Sequence, residues 1–181
     1  MQLGRSLVDA IAVIGLPQHG KSTFARMLSE LSGKPNGATS RVILDFLSRI
    51  DGIDYGTDWH TSVHPGLHSV FRERLVKAGD ALCAIKPSIL AEALINQGCG
   101  IVEGIRRKAE LDATRLQFGR ESRFMLVVWV DRPDHGLITD NTTVTKDDAN
   151  VVITNSTLEQ LEAEARRILG EIKWPIIKQH D

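Results

Sequence analysis

The sequence predicts an α/β domain in which a parallel sheet lies between two layers of helices. Three observations predict it. Runs rich in β-branched apolar residues alternate with segments of helical apolar spacing, and such alternation builds a parallel sheet whose crossovers cover both faces. The 181 residues, 42% hydrophobic and 25% charged, suit a single globular domain spanning 1–181. The first apolar run and the first helical segment are joined by Gly15-Leu16-Pro17-Gln18-His19-Gly20-Lys21-Ser22, which fits Gly-x4-Gly-Lys-Ser/Thr without a gap.

That loop sets the rest of the reading. Ala10-Ile11-Ala12-Val13-Ile14 before it reads as a buried strand. Thr23 to Leu31 after it carries apolar residues at 24, 27, 28 and 31, one face of a helix. Strand, loop and helix in this order are the context the motif needs. A glycine-rich turn lets backbone N–H groups wrap a polyphosphate, and the helix N-terminus adds its positive end. Gly15, Gln18, His19, Gly20, Lys21, Ser22 and Thr23 are therefore the candidate phosphate-binding residues. Lys21 is expected to reach the β- and γ-phosphates, and the Ser22 hydroxyl to ligate Mg²⁺. His19 is expected to act through its backbone N–H, with its imidazole pointing to the surface.

The remaining elements follow in order. The first helix is predicted to end near Ser32, with Gly33 as C-cap and Pro35 blocking continuation. Asn36 to Ser40 is a short strand or a loop. Arg41 to Ile50 reads as a helix. Asp51 to Pro65 is the least regular stretch, a loop at the mouth of the site; His60, His64 and His68 there read as loop histidines, since Pro65 and Gly66 break the helix that would align them. Leu67 to Ala78 reads as a helix ended by Gly79, and Pro87 opens another that Gly98 stops. Gly100 to Gly104 is a short buried strand, followed by a helix from Lys108 to about Phe118. Arg123 to Asp131 is the most apolar run and a central strand. Arg132 to Lys146 is polar and irregular. Asn150 to Asn155 is the last strand. Thr157 to Gly170 is the last helix, with Leu158, Leu161, Ala165, Ile168 and Leu169 facing inward. Ile172 to Asp181 reads as a tail.

Composition narrows the partners. With 22 Lys and Arg against 23 Asp and Glu, the net charge of −1 gives no general affinity for nucleic acid, although a local basic groove stays open. No stretch approaches the ~18 apolar residues of a membrane span. Cys83 and Cys99 show no metal spacing and, with no secretory signal, predict a cytoplasmic protein. A homodimer is left open.

Ligands of parallel α/β sheets bind beyond the C-terminal strand ends. That edge is predicted to collect Gly15 to Ser22, Ala38 to Asp45, Glu103 to Arg107 and Asp131 to Asp140. A GTPase is disfavoured, because no Asn-Lys-x-Asp run is present. A small kinase fits better, since phosphoryl transfer needs positioning and positive charge around the moving group. Glu103, ending its strand before Gly104, is a candidate to hold a magnesium-bound water or orient an acceptor. Arg106 and Arg107 offer planar forks for phosphate oxygens, one of them facing the site and the other either a solvated surface charge or paired with a carboxylate such as Glu110. Arg132 is a candidate lid arginine. Asp45 could bind a sugar hydroxyl, take a proton from an alcohol acceptor, or be an ordinary surface aspartate. Asp131 resembles a metal-holding aspartate on pattern, ranked below Glu103.

Four stretches carry a resemblance to the bacteriophage deoxynucleoside monophosphate kinases, within the nucleoside monophosphate kinase-like group. They are the phosphate loop, the block Gly100 to Glu110, the run Val127 to Pro133, and Asp148 to Glu159. The resemblance implies a five-stranded P-loop kinase fold of strand order 2-3-1-4-5, with an acceptor-binding insert over roughly 51–98 and a lid over roughly 131–146. It implies ATP and Mg²⁺ as cofactors, and a host-cytoplasmic location if the gene is a phage's. By resemblance Glu103 and Arg106 match the family's strand-end acid and arginine, with Glu103 standing where the family commonly has Asp. The implied activity is transfer of the γ-phosphate of ATP to a deoxynucleotide, with Lys21, Asp45, Glu103, Arg106 and Arg132 as the catalytic set and Ser22 and Glu103 as metal-holding residues. The first acceptor is a deoxynucleoside monophosphate. The alternative is the 5-hydroxymethyl group of 5-hydroxymethyluracil in DNA, which a related phage group is thought to phosphorylate and which must swing out of the duplex. For that reading the basic helix with Arg72, Arg74 and Lys77 is the supporting feature. A third reading is a non-catalytic ATP-binding regulator.

Overall fold

The computed structural model describes residues 6–56, 68–133 and 142–174. Its centre is β2 (Ala10–Ile14), all five of whose residues are buried. Covered on both faces, that strand carries no polar residue, as a strand between two helical layers should. β4 (Ile101–Glu103) pairs with one edge of β2 and β5 (Met125–Asp131) with the other. β3 (Asn36–Ala38) lies outside β4, and β6 (Val151–Thr154) outside β5. The five strands are parallel, in spatial order β3-β4-β2-β5-β6. Counted from the phosphate-loop strand, this is the expected 2-3-1-4-5.

Two cores flank the sheet. Ile11, Val13, Leu126, Val128 and Ile153 point to one side, where α1 (Lys21–Ser32) and α6 (Leu158–Glu171) cover them with Phe24, Leu28, Leu161 and Ile168. Ala12, Ile14, Val102, Val127 and Trp129 point to the other, against α4 (Ile89–Asn96) and α5 (Lys108–Arg120) through Leu94, Leu111 and Phe118. The period-2 alternation along β2 and β5 thus feeds both cores at once. A third cluster joins α2 (Thr39–Asp51) to α3 (His68–Ile85) through Ile43, Leu47, Phe71 and Leu75.

Of the strand and loop left open for Asn36 to Ser40, the strand forms, over Asn36–Ala38, and it is short because it ends directly in α2. Other elements differ from the sequence reading. α3 does not stop at Gly79 but runs on to Ile85. The glycine is there for clearance: a Cβ on it would lie 2.8 Å from Ile43 Cδ1 of α2. Leu158 does not face inward; it is 62% exposed at the start of α6, whose cap is the Thr157 hydroxyl accepting from the Gln160 N–H at 3.1 Å. The tail begins as structure: β7 (Ile172–Lys173) pairs in parallel with β1 (Ser6–Leu7), and Ile172 is buried in the first core. Trp174 is half-buried against that core with Lys34 Nζ 5.5 Å from its ring centre. His60 and His64 lie outside the described residues, and His68 is not in a loop but opens α3. Among the described residues no helix is long and apolar enough to cross a membrane.

Candidate active site

The loop leaves β2 through Gly15, whose φ of +146° and proximity to β5 both demand glycine: a Cβ would lie 2.6 Å from the Val130 carbonyl oxygen. Gln18 takes the left-handed conformation at φ 62°. Gly20 does so at φ 88° and is the N-cap of α1, so the helix starts at Lys21 itself. No acidic residue occupies its first turn. The N–H groups of the first turn and the helix dipole there favour an anion. Lys21 folds back over the loop, its Nζ donating to the Leu16 carbonyl at 2.6 Å.

Gln18, Gly20, Lys21, Ser22 and Thr23 form one wall of a cleft of about 410 Å³. Arg132, leaving β5, and Asn155, Ser156, Thr157 and Leu158, leaving β6 and entering α6, form the other. The cleft therefore sits beyond the C-terminal ends of three neighbouring strands, where a parallel sheet leaves room for a ligand. It has polar groups around the loop and an apolar flank from Leu158 and Leu161.

His19 is placed otherwise than its sequence suggests. The ring does not point to the surface; the residue is 4% exposed. Its Nδ1 accepts the Arg132 backbone N–H at 3.1 Å and lies 3.9 Å from Asp131 Oδ1. Its carbonyl accepts from Asn155 Nδ2 at 2.9 Å. The reason is space: the loop turns back onto the ends of β5 and β6, so the side chain falls between them. Asn155 and its neighbours went unassigned in the sequence, although the strand-end rule that singled out Glu103 applies equally to the end of β6.

The other candidates stand on the opposite side of the loop. Glu103 is buried at the end of β4, in register with Val13 on one side and Ala38 on the other. Its carboxylate accepts no hydrogen bond among the described residues. Next to it the Thr39 hydroxyl donates to the Gly104 carbonyl at 2.9 Å, joining the start of α2 to this strand end. Arg106 is exposed, and its carbonyl accepts the Thr143 N–H at 2.8 Å, so the segment after β4 is tied to the chain returning from the 131–146 region. Arg107 turns to α3: its guanidinium bonds Asp80 and reaches Cys83 Sγ at 3.8 Å, with Glu110 Oε2 at 3.9 Å. Its main partner is thus Asp80, a residue the sequence reading did not single out. Asp45 is exposed on α2, on the helix side away from buried Ile43, Leu44 and Leu47. Neither Asp45, Glu103 nor Arg106 lines the 410 Å³ cleft.

Charge is distributed unevenly across these groups. Glu110, 1% exposed in the first turn of α5, has its carboxyl pushed up to about 7 by burial, against the pull of Arg107 and the Arg106 backbone N–H. Burial likewise raises the Cys83 thiol to about 11, which keeps it protonated. Asp131 is held by Lys146, whose Nζ donates to Oδ2 at 2.6 Å. Lys108 and the Thr145 N–H hold the Asp148 carboxyl below its ordinary value and fix the short turn Lys146–Asp148 to α5.

For a hard divalent cation the available donors are oxygens: the exposed Ser22 hydroxyl and the buried, hydrogen-bond-free Glu103 carboxylate. That donor set fits Mg²⁺, which keeps most of its waters and takes one or two protein oxygens. Among the described residues no group of three or more His, Cys, Asp and Glu side chains forms a metal cage.

No family model matches the chain, and no curated protein does. Among solved structures it is similar to shikimate kinase from Acinetobacter baumannii in complex with shikimate, at 14% identity and a TM-score of 0.50 over 90% of this chain and 91% of that one. It is also similar to APS kinase from Mycobacterium tuberculosis in complex with AMPPNP and APS, at 14% identity and a TM-score of 0.48 over 92% and 98%. A sugar kinase from Janibacter gives 14% and 0.47 over 90% and 95%. At such identities the likeness is one of fold. With the strand order and the loop, the shikimate kinase match shows a P-loop kinase fold.

Proposed function

We propose that this chain is an ATP-dependent phosphotransferase that moves the γ-phosphate of ATP to a deoxynucleotide, with a free deoxynucleoside monophosphate as acceptor. One observation carries the reading: a phosphate loop whose Lys21 and Ser22 open α1 shares a single cleft with Arg132 and Asn155. In this account the loop amides and Lys21 hold the triphosphate, and the apolar flank at Leu158 accepts the nucleoside. The reaction breaks the bond between the γ-phosphorus and the β–γ bridging oxygen and forms one from an acceptor oxygen. Charge develops on the phosphoryl oxygens, so positioned cations lower the barrier. Arg132 on the cleft side and Arg106 on the β4 side supply them. Ser22 directly and Glu103 through water would hold Mg²⁺, which would supply charge neutralisation of the triphosphate. Asp45 enters only if the acceptor is an alcohol, which needs a base.

The free nucleotide is preferred over DNA on the charge of α3. Arg74 is bonded to Asp51 Oδ1 at 2.6 Å and Lys77 to Glu73 at 2.7 Å, so two of the three basic side chains of that helix are already paired. Less positive charge is left for a polymer backbone than the sequence suggests.

The test is transfer of label from γ-labelled ATP. Label on a deoxynucleoside monophosphate supports the proposal. Label on DNA containing 5-hydroxymethyluracil would shift the acceptor to the polymer. Label on neither, with ATP bound, would make the chain a nucleotide-dependent regulator.

A further inference from the structure

We infer that His19 is a positioning residue that ties the phosphate loop to the end of β5 from which Arg132 reaches the cleft, acting through its ring and not through the phosphate. The inference rests on the phosphotransferase reading above. Three hydrogen bonds close a circuit among three strand ends. The Arg132 N–H donates to His19 Nδ1 at 3.1 Å, Asn155 Nδ2 donates to the His19 carbonyl at 2.9 Å, and the Asn155 N–H donates to the Asp131 carbonyl at 2.7 Å. The circuit joins the loop after β2, the chain leaving β5 and the chain leaving β6.

Its parts act on different things. The Asn155 amide fixes the peptide of the loop that carries the Gly20 amide. It also leaves no room there: a Cβ at Gly20 would lie 2.3 Å from Asn155 Nδ2. The His19 ring fixes the first peptide beyond Asp131, where the polar segment starts whose Arg132 side chain lines the cleft. Nδ1 accepts, so the proton of a neutral ring belongs on Nε2. The accepting ring is sheltered, His19 being 4% exposed, whereas Arg132 is exposed and the bond is only partly buried. Removing the acceptor leaves the Arg132 N–H to water, so its exchange rises and the end of β5 loses its tie to the loop.

Substitutions separate the two bonds. His19→Leu keeps the branch at Cγ and the carbonyl held by Asn155, but removes the acceptor. His19→Asn puts Oδ1 where Nδ1 stands. In His19→Leu, amide exchange at Arg132 should speed up by about tenfold and kcat fall by about tenfold, while the Kd for ATP changes by less than about threefold. His19→Asn should recover most of both losses. Asn155→Ala, which frees the loop peptide, should instead raise the Kd for ATP by about tenfold. Arg132 exchange is read by amide NMR or mass spectrometry and needs no acceptor substrate. Unchanged exchange in a folded, ATP-binding His19→Leu protein would overturn the inference while leaving the kinase reading intact. So would a His19→Asn protein as impaired as His19→Leu. A wild-type protein that binds no ATP would instead overturn the kinase reading, and the role of the ring with it.

Discussion

At the scale of single residues, two positions have consequences that can be measured without any substrate. Gly15 combines φ +146° with a Cβ position 2.6 Å from the Val130 carbonyl, and that obstacle is backbone, not a movable side chain. Gly15→Ala should therefore lower stability by about 2–4 kcal/mol in denaturant unfolding, through strain and a displaced β5. Glu110 makes a pH-dependent contribution. Its folded-state value of about 7 lies above the usual 4.5, so between those values the folded chain holds a proton that the unfolded chain has released. Stability from this group is fully present below about pH 4.5 and is lost as pH rises through about 7, an effect of roughly 3 kcal/mol. Glu110→Gln should match the wild type near pH 4.5 and exceed it by up to roughly 3 kcal/mol at pH 8. A thermal or denaturant series in which the two proteins stay parallel from pH 4.5 to 8 would contradict this. The sequence offered Glu110 only as a partner for an arginine. Its surroundings include Arg107, itself bonded to Asp80, and Cys83 of α3, neighbours that no local pattern reveals.

At the scale of elements, the central strands were legible because each is an apolar run with clear flanks, whereas their order was implied only by the family resemblance. β2 and β5 are buried on both faces and read as unbroken apolar runs, which is what a central parallel strand requires. The misread elements were those whose key residue answers to a neighbour far along the chain. Gly79 carries every local signal of a helix stop. Its actual role is to let α3 cross α2 near Ile43. Gly79→Ala should change stability by less than about 1 kcal/mol, because the gain in helix propensity of ~1 kcal/mol opposes a contact with the flexible end of Ile43. Ile172 was likewise read as tail, since two residues are too few to show a period. It is buried, and its strand pairs with β1. Ile172→Ala should cost about 2–4 kcal/mol, against nearly nothing for a true tail. The midpoint of urea unfolding distinguishes the two.

At the scale of the whole molecule, the site is a property of one edge of the sheet. The phosphate loop was legible because a phosphate-binding turn needs particular residues at fixed spacing, and eight contiguous positions carry them. The facing wall did not, because Asn155, Ser156 and Thr157 reach the cleft only through the parallel pairing of β5 with β6. The buried ring of His19 escaped for the same reason: its partner Arg132 is 113 residues away. The β4 side, with Glu103, Arg106 and the Arg107–Asp80 pair, adjoins the loop from the opposite direction and is where an acceptor would meet the γ-phosphate in this account. The central claim is that the loop and Lys21 together hold the triphosphate of ATP. Lys21 is half-buried at the start of α1 and donates to the Leu16 carbonyl at the loop surface, so Lys21→Ala should leave the fold intact. Its most direct test is a calorimetric titration of wild type and Lys21→Ala with magnesium and a non-hydrolysable ATP analogue. The account predicts binding to the wild type and an affinity at least about tenfold weaker in a folded Lys21→Ala protein; equal affinities in the two would contradict it.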